Sequence, residues 1–158
     1  MGADIIHTGH LNIIKKAKKY GEIVIGLFTD SAIAEYKTLP LINYSQRLEI
    51  MKNIKGISKI IKQDTWDYSN NLNKLKPNYV IHGDDWKKGI QQKTRLNVIK
   101  LLKRWKGRLI EVPYTKKVNI NENKKSVNNI FHNPETRVSR LKRLIGSKKI
   151  VRFIESHN

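Results

Sequence analysis

The sequence contains no cysteine, which excludes disulfide stapling and thiolate metal sites, so stability has to come from packing. It contains no run of about 18 apolar residues and no charged-then-apolar leader, so neither a membrane span nor a secretory signal is expected, and a cytoplasmic protein is. Acidic residues are scarce: 13 Asp and Glu stand against 32 Lys and Arg, a formal charge of +19. Such a surplus attracts polyanions in general. The basic residues, however, run as pairs along the whole chain, among them Lys15-Lys16, Lys87-Lys88 and Lys148-Lys149, rather than in one tail. They read as solvated helix faces, with nucleic acid an unlikely partner. The five histidines show no structural zinc spacing.

What is present, 158 residues of which 39% are hydrophobic, fits one α/β domain with a buried core and a short extension. Apolar runs rich in β-branched residues recur at 22–28, 57–61, 79–82 and 108–112 and read as buried parallel strands. Helical patterns at 9–20, 44–54, 69–75 and 91–105 alternate with them, the last with Leu96, Ile99, Leu102 and Trp105 on one face. Strands alternating with helices indicate a doubly wound, Rossmann-like parallel sheet. Ligands of such sheets lie outside the carboxyl ends of the strands. The segments there are Thr29-Asp30, Gln63-Asp64, Gly83 to Trp86 and Pro113 to Thr115. Residues 1–7 are also built like a strand-to-helix turn, with no strand-forming segment before them.

Residues 1–118 form the expected domain, and the Asn- and Lys-rich stretch 119–133 reads as a linker with little to bury. From Pro134, a good first helical residue, helical spacing returns over 134–158 with Val138, Leu141, Leu144 and Ile145 apolar. That face needs a partner.

The chemistry centres on Asp4 to His10. His7 and His10 lie three apart across Gly9, where the spacing of Leu11, Ile14 and Ala17 starts a helix, so both imidazoles can face one ligand. A helix N-terminus favours phosphate through its dipole and free amides, and Gly9 lets a phosphate approach the main chain. In nucleotidyl transfer an acceptor oxygen attacks the α-phosphorus in line and pyrophosphate leaves, so positioning and charge stabilisation supply the catalysis. The competing reading is two packed or surface histidines. A second cluster follows a later strand: Gly83, Asp84, Asp85 and Trp86. Its acids could hold a divalent cation beside phosphates or merely cap a helix, and Trp86 could stack on a base or cover the sheet edge.

Asp4 to Leu11, Gly26 to Asp30, Tyr44-Ser45-Gln46-Arg47 and His82 to Trp86, in that order, resemble the cytidylyltransferases typified by glycerol-3-phosphate cytidylyltransferase, within the His-x-Gly-His nucleotidyltransferases. The resemblance covers about residues 2–118. Tyr36 to Pro40, Lys76 to Val80 and 133–158 are further similar to the cytidylyltransferase domain fused ahead of phosphoenolpyruvate phosphomutase in phosphonate biosynthesis. The resemblance implies transfer of CMP from CTP, with Mg²⁺, to a small phosphonate or phosphate acceptor such as 2-aminoethylphosphonate. It also implies a homodimer and a phosphomutase domain or neighbour. On the matching positions His7, His10 and Lys37 would act on the triphosphate, and Asp4 would lie beside metal and substrate. Arg47 would reach the phosphates or hold the loop, while Asp84, Asp85 and Trp86 would line the nucleotide and acceptor pocket. Which residues would bind the metal stays unknown.

Two departures qualify this. The family's Gly-Ile-Ser-Ser/Thr-Thr-x-x-Arg/Lys segment reads here as Lys117 to Lys124, keeping only Val118 and Lys124, so weaker triphosphate binding is expected. The family's first, central strand should precede Gly2, and its absence would leave the strands around Ile25 and Val80 without their shared neighbour. The expectation is a frame clipped or degenerate at both ends, with a non-catalytic nucleotide-binding domain of a phosphomutase fusion as the alternative function.

Overall fold

The structure, a computed structural model, describes residues 1–113 and 134–147. Four five-residue runs become strands: β1 Val24–Phe28, β2 Lys59–Gln63, β3 Tyr79–Gly83 and β4 Arg108–Val112. Ile25, Leu27 and Phe28 give β1 its hold on the core, each under a tenth exposed. The strands pair in parallel, β1 with β2 from Val24↔Lys59 to Phe28↔Gln63. In the same way β3 pairs with β4, from Tyr79↔Arg108 to Gly83↔Val112.

These two pairs are not hydrogen bonded to each other among the described residues. The free edge of β1 carries one rung of ladder: the Met1 main-chain nitrogen donates to Gly26 O at 2.5 Å, and Phe28 N–H donates to Met1 O at 3.0 Å. The halves are joined instead by rings: Tyr20 meets Tyr79 at 4.9 Å, and Tyr68 lies 6.0 Å from Phe28 and 6.4 Å from His82. The parallel strands and their helices are those of the expected α/β, Rossmann-like fold.

Among the described residues six α-helices accompany the strands: α1 Thr8–Ala17, α2 Asp30–Tyr36, α3 Tyr44–Lys52, α4 Ser69–Leu75, α5 Gln92–Lys103 and α6 Pro134–Ser147. Local chemistry sets their starts. At α3 the Asn43 side chain accepts from Gln46 N–H while the Gln46 side chain accepts from Asn43 N–H, a reciprocal cap. At α2 the Thr29 hydroxyl accepts from Ala32 N–H at 3.2 Å.

Two sequence expectations need correction. Helix α2 was not foreseen, because its three consecutive buried residues Ala32, Ile33 and Ala34 carry no helical spacing. Helix α5 buries Val98, Leu101 and Leu102 rather than a stripe beginning at Leu96, which is 56% exposed. The three-four step puts Val98 and Leu102 one turn apart beneath Leu72 and Trp86. Helix α6 begins at the expected Pro134, and its Val138, Leu141 and Ile145 are exposed. The expected linker and the end of the last helix, 148–158, lie outside the described residues.

Candidate active site

His7 is the extended residue that caps α1, with φ −143° and ψ 171°. Its Nδ1 accepts from Gly9 N–H at 3.1 Å, so in the neutral ring the proton sits on Nε2, free to donate elsewhere. His10, one turn on, lies with its ring centroid 4.0 Å from that of His7 at 44°. Burial depresses both imidazoles below the usual histidine range. For His10 the fall is to about 4, with the neighbouring His7 and the amino terminus adding to the desolvation. Its Nδ1 is buried and has no hydrogen-bond partner.

Both rings are thus neutral donors at the positive end of α1, which carries no acid in its first turn. A polyanion arriving there would favour their protonated forms and so draw charge into the site. The amides of Gly9 and His10 are already used, by His7 Nδ1 and by His7 O at 2.9 Å. A phosphate would have to displace the cap to reach Gly9, so the imidazoles and the dipole carry the anion affinity.

The segment before the histidines is tied to the loop after α2. Leu41 N–H donates to Asp4 Oδ1 at 2.6 Å. Lys37, the C-terminal cap of α2, is exposed, with Nζ 5.5 Å from the Trp66 ring centroid. Its charge and that of Arg47 add to the burial that lowers the Met1 amino group to about 5, which puts both cations in the field of the site's floor.

Arg47 is fully buried and donates to Gly2 O at 2.7 Å, Phe28 O at 2.8 Å and Asp30 Oδ1 at 2.7 Å. Of the two roles the sequence left open, it performs the loop-holding one. Asp30 is shared: its Oδ2 accepts from Arg143 Nη2 at 3.2 Å, and Arg143 also donates to Pro40 O and Leu41 O. Helix α6 therefore touches the loop that carries Lys37.

At the end of β3, Gly83 is buried so closely that a Cβ there would lie 2.8 Å from Asp85 Oδ1. Asp84 is half-buried and Asp85 exposed, 3.9 Å from His82 Nδ1. Trp86, expected to line the pocket, is instead fully buried. It stacks on His82 at 3.7 Å and 8°, and its indole N–H donates to Glu111 Oε1 at 2.8 Å. Glu111 also takes two bonds from Arg95, at 2.8 and 3.1 Å. Those bonds, the Arg95 ones foremost, pull its carboxyl down to about 2. Neither face of Trp86 is open to a nucleobase, because the group filling the gap under β3 and β4 must be large and apolar.

His7, Gly9 and His10 are thus brought together at the start of α1, while Asp4 and Arg47 hold the segment that leads into it. Lys124 lies outside the described residues. The sequence reading placed Asp30 among the strand-end segments but missed Trp66, Glu111 and Arg143, none of which carries a local signal. Among the described residues no group of three or more His, Asp or Glu could hold a metal ion. No helix among the described residues is long and apolar enough to cross a membrane.

Comparison with known proteins gives this geometry a family. The cytidylyltransferase-like family pattern matches residues 3–132. An FAD synthase from Archaeoglobus fulgidus is 31% identical over 100 residues, 60% of this chain and 73% of that protein. The FAD synthase of Methanothermus fervidus is 35% identical over 52% of this chain and 59% of its own length. The ethanolamine-phosphate cytidylyltransferase of Dictyostelium discoideum is 29% identical over 52% of this chain but 23% of its own length. For several of these relatives, then, the chain spans little more than half the length or less. A lipopolysaccharide core biosynthesis protein from Thermoplasma volcanium has a similar crystal structure, with a TM-score of 0.60 and 21% identity over 75% of this chain and 93% of that one, which shows a shared fold. The paired imidazoles at the start of α1, in a chain matched from residue 3 to residue 132, establish that the protein belongs to the cytidylyltransferase-like family.

Proposed function

We propose that the protein transfers a nucleoside monophosphate from a nucleoside triphosphate to a phosphate- or phosphonate-bearing acceptor, with CTP as donor and a small phosphonate such as 2-aminoethylphosphonate as acceptor. The observation that carries this is the pair of neutral, burial-depressed imidazoles tilted against each other at one helix N-terminus. An acceptor oxygen forms a bond to the α-phosphorus while the bond from that phosphorus to the bridging oxygen of the β-phosphate breaks, and pyrophosphate takes the electron pair. His7 Nε2–H and His10 would donate to the oxygens on which charge accumulates, and Lys37 would swing from Trp66 to the leaving pyrophosphate. Mg²⁺ would enter with the nucleotide and neutralise phosphate charge. Asp4 and Arg47 act through the loops they hold.

The CTP and phosphonate assignment rests on the resemblance of Tyr36 to Pro40 and Lys76 to Val80 to the phosphomutase-fused domains. A second reading, formation of an FAD-type dinucleotide, is favoured by the two FAD synthase relatives. Chromatographic product analysis separates them: CTP with 2-aminoethylphosphonate should give a cytidylylated phosphonate and pyrophosphate. FAD from ATP and FMN, with no product from CTP, would replace the first reading by the second. Calorimetric binding of CTP without any product would leave a nucleotide-binding domain of a phosphomutase-linked protein.

A further inference from the structure

The edge at which the strands begin is strongly basic. The four segments that lead into strands, 18–24, 53–59, 74–79 and 103–108, contain ten Lys or Arg and a single acid, Glu22. At the carboxyl ends acids and cations stand together, Asp64 paired with Lys62 and Glu111 with Lys87 and Arg95. In a parallel sheet all strand starts lie on one edge, together with the carboxyl ends of the preceding helices, so the cations share the edge opposite the histidines. Lys59 stands beside Val24 in the β1–β2 register, and Arg108 beside Tyr79 in the β3–β4 register. The Lys18 side chain lies against Gly56, carrying the ring of charge from α1 across to β2.

Helix dipoles account for part of this, since cations favour helix carboxyl ends. They do not account for Lys59 and Arg108, which open strands. Nor is the charge neutralised: Lys18, Lys55, Lys59, Lys76, Lys106 and Arg108 are all exposed, and among the described residues none forms an ion pair. The same edge also exposes apolar side chains. Tyr20 and Tyr79 pack at 4.9 Å with more than a third of each side exposed, and Val24 and Leu75 are each 38% exposed.

We infer that this edge docks the protein onto an anionic lipid surface. Lysines around the rim meet lipid phosphates, the tyrosine pair sits at the headgroup level, and Val24 and Leu75 reach the acyl boundary. The aliphatic residues decide between polyanions, because a nucleic acid offers phosphates and stackable rings but nothing that rewards an exposed Val and Leu. The orientation leaves the histidine edge facing the aqueous phase, open to soluble substrates while the protein is bound.

Vesicle co-sedimentation of the full chain tests this, at 100 mM salt, with phosphatidylcholine vesicles with and without one-third phosphatidylglycerol. Binding should require the anionic lipid. Lys59→Gln with Arg108→Gln should weaken it about thirtyfold, which is about 2 kcal/mol at 1.4 kcal/mol per tenfold and about one per cation. Tyr20→Ser with Tyr79→Ser should weaken it at unchanged charge. Lys88→Gln with Lys93→Gln, the same charge change on the opposite edge, should leave it within about twofold. Equal losses from both charge pairs would overturn the assignment, as would no binding to anionic vesicles, or displacement from them by equimolar single-stranded RNA. Should either doubly substituted protein lose its circular-dichroism spectrum, the single Lys59→Gln and Tyr20→Ser variants against Lys93→Gln decide the same question.

Discussion

The main-chain N–H of Leu41 donates to Asp4 Oδ1 at 2.6 Å, tying the loop after α2 to the segment that leads into the histidine pair. A charged acceptor makes this the stronger kind of hydrogen bond, worth about 1.5 to 3 kcal/mol. Asp4→Ala should therefore speed exchange of the Leu41 amide by about tenfold to a hundredfold, while Asp4→Asn, which keeps an acceptor, should do less. Hydrogen exchange followed by NMR reads both; an unchanged Leu41 rate in Asp4→Ala would show the tie is not formed in solution.

Arg47 has no exposed surface and satisfies Gly2 O, Phe28 O and the Asp30 carboxylate together. Its removal leaves Gly2 O and Phe28 O without a buried donor and Asp30 with Arg143 as its remaining cation, so Arg47→Met should cost about 2 to 4 kcal/mol. Against a typical total of about 5 to 15 kcal/mol that is a large share of the stability. Urea denaturation measures it, and a cost below about 1 kcal/mol would mean the arginine is solvated.

The legible parts of this fold are those with local signatures: four apolar runs, Pro134 and the His-x-Gly-His spacing. Each depends on neighbours within a turn or a strand. What stayed hidden depends on distant partners. Which of its two roles Arg47 would take was not legible because Gly2, Phe28 and Asp30 meet it only after folding. Trp86 looked like a stacking platform because nothing nearby announces that Glu111 and His82 enclose it. Helix α2 was invisible because Ala32, Ile33 and Ala34 all face the core, leaving no polar stripe to mark a period.

Acid should weaken the fold in two windows. Burial lowers His7, His10 and His82 below their unfolded values, so the unfolded chain takes up their protons first. Stability is full above the ordinary histidine value near 6.5 and falls as pH drops from there toward about 4, the value of His10. Glu111 is also lowered, from 4.5 to about 2, so its contribution is present above 4.5 and lost as pH falls from 4.5 toward 2. Denaturant midpoints across pH 7.5 to 3 should show both losses. Glu111→Gln should flatten the lower window and His10→Gln part of the upper one; an unchanged profile in both variants would contradict the burial of these groups.

A triphosphate at the start of α1 should raise the histidine values by opposing their desolvation with negative charge. Binding should then consume protons, and CTP affinity should rise as pH falls from 8 to 6. Calorimetry in buffers of different ionisation enthalpy measures the uptake. His10→Ala should abolish most of it, and uptake persisting in that variant would assign the protons elsewhere.

The most direct test of the central claim is pyrophosphate release from CTP in the presence of Mg²⁺ and 2-aminoethylphosphonate, comparing the protein with His10→Ala. Steady release that falls by about a hundredfold to a thousandfold in the variant, the usual cost of losing one charge-stabilising donor, is the predicted result. Release unchanged by His10→Ala, or none from the intact protein with CTP or ATP and any acceptor, would contradict it.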